Sequence, residues 1–325
     1  MKKALITGIN GQDGSYLSEF LLEKGYEVWG TVKRNSVSEN QSSRINHIFE
    51  NVNLEYCDIN DLSSIIRVVE KSNPDEIYNL AAQSHVRISF DQPIYTSNTT
   101  GIGALNVIEA AKLINSDIKI YQASSSEMFG NNIDDDGYQR ETTPMCPVSP
   151  YGCAKVFAYN ISRNYRNSYN MFISNGILFN HESPRRGSNF VTAKVVKEAI
   201  KIKKGISSEL KLGNLEASRD WGHAKDYCKA MWMILQHDKP DDFVCATGKS
   251  HTVKDLVEYT FSKLDLDWKK YVKIDEKFFR PEELDDLKGD PSKIKNELGW
   301  EQEYSFEDMI DEMIEYWDNK INKEV

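Results

Sequence analysis

Two side chains in S-P-Y-G-C-A-K, residues 149–155, have the types and spacing for proton transfer. Tyr151 and Lys155 are four residues apart, so on a helix both project from one face. Ser149 suits an N-cap and Pro150 the first helical position, which puts Tyr151 in the first turn. A phenol with a reference pKa of about 10 is a poor base at neutral pH. A neighbouring ammonium and the positive end of a helix both favour the phenolate, making Tyr151 a candidate base for a hydroxyl. Pairs of this spacing occur on many exposed helices. This one is singled out by Ser124, Ser125 and Ser126 at the end of a predicted strand and by a glycine turn upstream. Glu127 follows the serines in Q-A-S-S-S-E-M-F-G. Strand ends of open α/β sheets border the ligand crevice, so Glu127 is a second candidate acid/base, the alternative being a solvated loop carboxylate.

The glycine turn is T-G-I-N-G-Q-D-G, with Gly8, Gly11 and Gly14 between a predicted strand and a predicted helix. The first glycine permits a tight turn, the second lets a pyrophosphate approach the backbone, and the third packs helix on strand. The free N–H groups of the helix start then hold the anion. About 20 residues on, where a site for NAD places an acidic residue against the ribose hydroxyls, stand Lys33 and Arg34. A carboxylate there repels a 2′-phosphate, whereas a guanidinium holds one through a charge-assisted fork. The expected cofactor is NADP.

Elements of an α/β fold must position these residues. Short β-branched runs alternate with helical segments through the first half, the signature of a parallel sheet covered by helices. Strands are predicted at 4–7, 27–32, 54–56, 76–79, 118–123 and 171–178. Helices are predicted at 15–24, at about 100–113 and from about 151, with Gly25 ending the first as a C-cap. Beyond residue 180 the pattern becomes shorter and more mixed. The expected architecture is a Rossmann-like doubly wound sheet in residues 1–180, with later segments contributing, and a smaller mixed α/β substrate lobe in 181–325.

Composition narrows the partners. Lys and Arg total 40 against 50 Asp and Glu, a net charge of −10, which argues against nucleic-acid or anionic-membrane surfaces. No stretch approaches the ~20 apolar residues of a membrane span. Polar residues and glycines break the opening MKKALITGINGQDG before a secretory core could form. The five cysteines, Cys57, Cys146, Cys153, Cys228 and Cys245, form no C-x-x-C pair. Each is expected to be a buried small hydrophobe in a reducing cytoplasm, with neither disulfide nor metal site.

Taken together, ALITGINGQDGSYL, YNLAAQSHV, YQASSSEMFG, SPYGCAK, NGILFNHESPRRG, RDWGHAKDY and FFRPEELDDLKGDPSKIKNELGW resemble the extended, nucleotide-sugar-modifying branch of the short-chain dehydrogenase/reductases. Within it, FNHESPRRG and RDWGHAKDY are similar to the GDP-mannose 4,6-dehydratase family. The resemblance implies that Tyr151 takes the C4 hydroxyl proton as hydride leaves C4 for NADP⁺. Lys155 would hold the nicotinamide ribose and lower the Tyr151 pKa. Glu127 would remove the C5 proton and help protonate the departing C6 hydroxyl, and Ser125 would polarise O4. For the cofactor it implies contacts from Gly8, Asn10, Gly11, Gln12, Asp13 and Gly14 at the turn. Arg34, Asp58, Ile59, Leu80, Ala82, Ser84, Tyr95, His181 and Arg186 complete that set. For a GDP-sugar it implies Ser84, Ser126, Asn180, Lys194, Arg219 and Arg280. It also implies a homodimer or homotetramer in which the loop 34–47 reaches a neighbouring cofactor site.

The chemistry of the residues agrees. Eliminating water beside a transient ketone needs a base at the carbinol and a second acid/base at the adjacent carbons. A simple dehydrogenase needs only the first, and an epimerase of this branch resembles the set without the glutamate. A non-catalytic NADP sensor of the same fold would lose Tyr151, Lys155 or Glu127, and all three are present. The chain departs from the family's pattern at three places. Ser125 replaces a threonine, the segment 131–140 with its three aspartates is long, and Val148 stands where arginine is usual. The last two lie between Glu127 and Tyr151, so extra room beyond the sugar's C6, and a GDP-manno-heptose substrate, stay open as alternatives.

Overall fold

Successive residues of the first strand face opposite sides of a sheet, and both sides are apolar. In β1 (Lys3–Thr7), Ala4 and Ile6 belong to one buried cluster and Leu5 to another. The same alternation separates Tyr78 from Ile77 in β4 (Glu76–Asn79) and Tyr121 from Ile120 in β5 (Lys119–Ser125). Burial on both faces requires helices on both faces, as a parallel sheet built from crossovers provides. The computed structural model describes residues 1–34, 43–279 and 282–324.

With β2 (Glu27–Val32), β3 (Asn53–Tyr56), β6 (Ile173–Leu178) and the strand Asp242–Cys245, these strands form one seven-stranded parallel sheet. Its order is Asp242–Cys245, β6, β5, β4, β1, β2, β3. The chain travels outward from β1 to β3, then returns to β4 on the other side of β1. That reversal opens a crevice at the carboxyl ends of β1 and β4, where ligands of such sheets bind.

Helices Gln12–Glu23 and Ala224–Gln236 pack together on one face, and Leu62–Ser72 and Gly103–Ile114 on the other. A separate apolar cluster joins helices Val191–Lys203, Val253–Lys263 and Phe306–Glu324. The chain after residue 180 therefore does two things. It returns to the sheet through Ala224–Gln236 and Asp242–Cys245, and it builds a second core from the other segments.

The predicted strands match to within two residues at each end, and β5 extends through Ser125. The first helix begins at Gln12, earlier than expected, so Gly14 lies inside its first turn. Gly25, at φ +78°, follows the helix end in the left-handed conformation expected of a C-cap glycine. The helix expected from about 100 starts as a wider π-helical turn at Ser97–Ile102 and continues as Gly103–Ile114. The expected burial holds for Cys228 and Cys245 and is corrected for the half-buried Cys57 and for two exposed residues, Cys146 and Cys153. Those two sit on loop and helix surface, where a small hydrophobe costs little.

Candidate active site

Each glycine of the first turn has its own steric reason. Gly8 adopts φ +72°, and a Cβ on it would lie 3.2 Å from the Ala81 backbone. A Cβ on Gly14 would stand 2.5 Å from the Gly8 carbonyl oxygen and 2.7 Å from Ile9 Cα. Only glycine lets the helix seat this tightly against the turn. Gly11 is the N-cap, with its N–H donating to the Gly8 carbonyl at 2.9 Å. The turn thus forms a cradle at a helix N-terminus, of the shape a pyrophosphate needs.

The cradle opens into a cleft of about 1090 Å³, beyond the ~300–1,000 Å³ of ordinary small-molecule sites. It runs past the ends of β4 and β5 to Phe190, Lys194, Leu212, Arg219, Trp221 and Phe278 from the second half of the chain. Among the sequence-predicted residues, Gly8, Asn10, Gly11, Gln12, Asp13, Gly14, Asp58, Ile59, Leu80, Ala82, Ser84 and Tyr95 line it. So do Ser125, Ser126, Glu127, Tyr151, Lys155, Asn180, His181, Arg186, Lys194 and Arg219. Arg34 is exposed and does not line it, while Lys33 does, its ammonium 3.0 Å from the Asp58 carboxylate. Arg280 and residues 35–42 lie outside the described residues.

The proton-transfer residues converge as their chain positions require. The Ser149 hydroxyl accepts the Gly152 N–H at 3.0 Å, capping the helix Pro150–Tyr169. Glycine at 152 lets this helix press on the Glu127 loop, since a Cβ would lie 2.7 Å from the Glu127 carbonyl oxygen. Ser124 and Ser125 lie within β5, and Ser126 and Glu127 open the 3₁₀ turn that follows. The Ser125 hydroxyl accepts the Glu127 N–H at 3.3 Å and hydrogen-bonds the Tyr151 phenol. Lys155 donates to the Ala123 carbonyl at 2.7 Å and sits 5.7 Å from the Tyr151 ring centre.

Burial sets the electrostatics here, and one expectation needs correction. The Tyr151 phenol is pushed up to about 12, because burial and then the Glu127 charge outweigh the Ser125 hydrogen bond. Burial pulls the Lys155 ammonium down to about 8, against the attraction of Asp13. The expected lowering of Tyr151 is therefore not supplied by the protein's own groups. The desolvation that makes the site effective also penalises the phenolate.

The residues after β6 brace the glycine turn. His181 lies between the Phe179 carbonyl at Nδ1, 2.7 Å, and the Asp13 carboxylate at Nε2, 2.9 Å. Both partners are acceptors, so the ring is held as an imidazolium. Burial opposes that proton, but Asp13 outweighs it and raises the His181 pKa, while its own carboxyl falls to about 2. Gln12 donates to the His181 carbonyl at 3.1 Å. Sequence reasoning gave no role to Glu182, which lines the cleft. Its adjacency to His181 was the available signal.

At the far end, Arg219 donates to the Leu284 carbonyl at 3.0 Å, and Lys194 lies 3.4 Å above the Phe278 ring. The segment 131–140 does not line this cleft but borders it, the Asn131 side chain donating to the carbonyl of the lining residue Glu283 at 3.4 Å. Arg140 ties Asp134, Asp136 and Asp290 together at 2.6–3.0 Å, and the Gln139 N–H donates to the Lys288 carbonyl. Neither this segment nor Val148 lines the cleft.

Comparison with known proteins agrees with this geometry. The family model for GDP-mannose 4,6 dehydratase matches residues 5–313. A GDP-mannose 4,6 dehydratase of Arabidopsis thaliana is 51% identical over 97% of this chain and 89% of its own. The GDP-mannose 4,6-dehydratase of Yersinia enterocolitica is 48% identical over 97% and 93%. Among solved structures, a Thermotoga maritima UDP-glucose 4-epimerase with UDP-glucose superposes at TM-score 0.87, with 24% identity over 98% of this chain and 99% of that one. A Bacillus anthracis dTDP-glucose 4,6-dehydratase in complex with NAD gives 0.85, with 22% identity over 99% and 98%. These two share the fold. With a matching model across most of its length and relatives near half identity, this chain belongs to the GDP-mannose 4,6-dehydratase family.

Proposed function

We propose that this protein is a hydro-lyase that converts GDP-α-D-mannose to GDP-4-keto-6-deoxy-mannose and water, with tightly held NADP recycled in each turnover. The observation that carries the reading is the convergence of Ser125, Glu127, Tyr151 and Lys155 on one cleft in a chain of this family. The cofactor supplies a hydride acceptor at C4 and a hydride donor at C6. The glycine cradle fits its pyrophosphate, and the Lys33–Asp58 pair with Tyr95 lines the adenosine end.

Tyr151 removes the C4 hydroxyl proton, and Ser125, hydrogen-bonded to it, holds O4 in line. The resulting C4 ketone acidifies the C5 hydrogen, which Glu127 removes. Glu127 then delivers a proton to the departing C6 hydroxyl, so one buried carboxylate serves both halves of the elimination. Lys155 keeps a positive charge on the helix face shared with Tyr151. Asn180, Lys194 and Arg219 present hydrogen bonds and cations to the diphosphate and base, with Ser84 and Ser126 nearer the sugar, and Arg280 is proposed to join them.

Residues 1–180, with the segments that return to the sheet, hold the cofactor in this reading, and the remainder of 181–325 holds the nucleotide. Assembly as a homodimer or homotetramer through the loop 34–47 is part of the same proposal. A GDP-manno-heptose substrate uses the same chemistry, but the two features favouring it do not line the cleft. The test is mass spectrometry of GDP-mannose after incubation with the purified chain. A product lighter by one water is expected. Unchanged mass points to an epimerase, a gain of hydrogen to a reductase, and no conversion with retained NADP binding to a sensor.

A further inference from the structure

Glu182 ends the short strand Asn180–Glu182, whose partner is Trp221–His223. It lines the cleft near the sheet's reversal, yet its side chain is only 3% exposed. A carboxylate buried beside the expected place of an anionic dinucleotide is doubly costly, through desolvation and through like-charge repulsion. It needs compensation, and two neighbours provide it. Thr192, at the start of the helix Val191–Lys203, donates its hydroxyl to Glu182 Oε2. Arg186 brings Nε to 3.0 Å from the same oxygen, an ion pair by distance whose orientation is not that of a hydrogen bond.

The ion pair has a consequence for Arg186. Its guanidinium is 17% exposed at the cleft and stacks 3.6 Å from the Phe190 ring centre. A long side chain at a cleft wall would otherwise lose rotamer freedom on binding, which weakens the complex. Here a carboxylate beneath and a ring beside it fix the guanidinium beforehand. The arrangement parallels Asp13 with His181, where a carboxylate likewise holds a cation at the same end of the cleft.

We infer that Glu182 is a positioning residue that pre-orients Arg186 for the cofactor, with Thr192 anchoring the carboxylate from the neighbouring helix. Glu182 touches no reacting atom in this account. The inference rests on the proposed NADP site, and its test separates the two. Affinity for NADPH is measured by calorimetry for the full-length protein stripped of nucleotide and for Glu182→Gln, Arg186→Met and the double variant, alongside melting of each protein without ligand.

The Glu182→Gln change should weaken NADPH binding roughly tenfold, about 1.4 kcal/mol, the scale of one charge-assisted contact. The double variant should bind no more weakly than Arg186→Met alone, because the carboxylate acts only through that guanidinium. A merely structural role would instead multiply the two losses. Thr192→Val probes the same carboxylate from its other side and should weaken binding about threefold, the smaller loss expected when a hydrogen bond goes but the charge stays. Native affinity in both Glu182→Gln and Thr192→Val, or multiplicative losses in the cycle, would overturn the inference while leaving the cofactor site standing. Failure of the unaltered protein to bind NADPH would overturn the site and the inference together.

Discussion

Lys155 lies one helical turn beyond Tyr151, but its ammonium donates to the Ala123 carbonyl of the neighbouring strand, 5.7 Å from the tyrosine ring centre. The ammonium is anchored to the strand while it stands over the tyrosine ring at the long end of cation–π range. Burial splits their titrations, lifting the phenol to about 12 and dropping the ammonium to about 8.

An alkaline limit follows from that value. In the proposed mechanism Lys155 acts as a cation beside Tyr151; that charge is present below about 8 and lost above it. The pH profile of kcat/KM should therefore fall as pH rises through about 8. A flat profile to pH 10 would contradict the assignment. Tyr151→Phe should abolish the first hydride transfer, so deuterium at C4 of GDP-mannose stays at C4 and no product lighter by water forms.

Glu127 is separable from Tyr151 by where turnover stops. Glu127→Gln should still oxidise C4 but slow exchange of the C5 hydrogen with deuterated water by ~10²–10⁴-fold, the usual loss for a positioned acid/base. Exchange at the native rate would remove the residue from the elimination step.

The lattice of carboxylates and cations at the glycine turn also has a pH signature. His181 is raised above its unfolded value of about 6.5. Its stabilising contribution is fully present below that value and fades as pH rises through the folded pKa. Asp13→Asn should remove this dependence. Urea unfolding of both proteins at pH 6 and pH 9 measures it, and an equal change in stability for the two would count against the pair.

The proposed preference for NADP is assigned to the basic pair after β2. Lys33→Ala and Arg34→Ala should each weaken NADP binding more than NAD binding, the guanidinium through the 2′-phosphate. Calorimetry showing equal losses for both cofactors would withdraw the 2′-phosphate assignment.

Local rules made much of the sheet legible. Strands such as Glu27–Val32 and Glu76–Asn79 are short β-branched or aromatic runs bounded by polar residues, and the turn glycines announce their own steric need. The seventh strand, Asp242–Cys245, was missed because joining the sheet edge beside β6 is a long-range pairing that no local pattern encodes. The same reason hid Glu182, whose meaning comes from Thr192 and Arg186 reaching one oxygen. Tyr151's titration was misread for another reason. Sequence spacing shows the lysine four residues away but not the depth of burial, and burial is the larger effect.

The most direct measurement follows one hydrogen. GDP-mannose carrying deuterium at C4 should give a product lighter by one water that keeps the label, now at C6, with no accumulation of NADPH. Loss of the label to solvent, or NADPH formed in step with product, would contradict a redox-neutral elimination in this cleft.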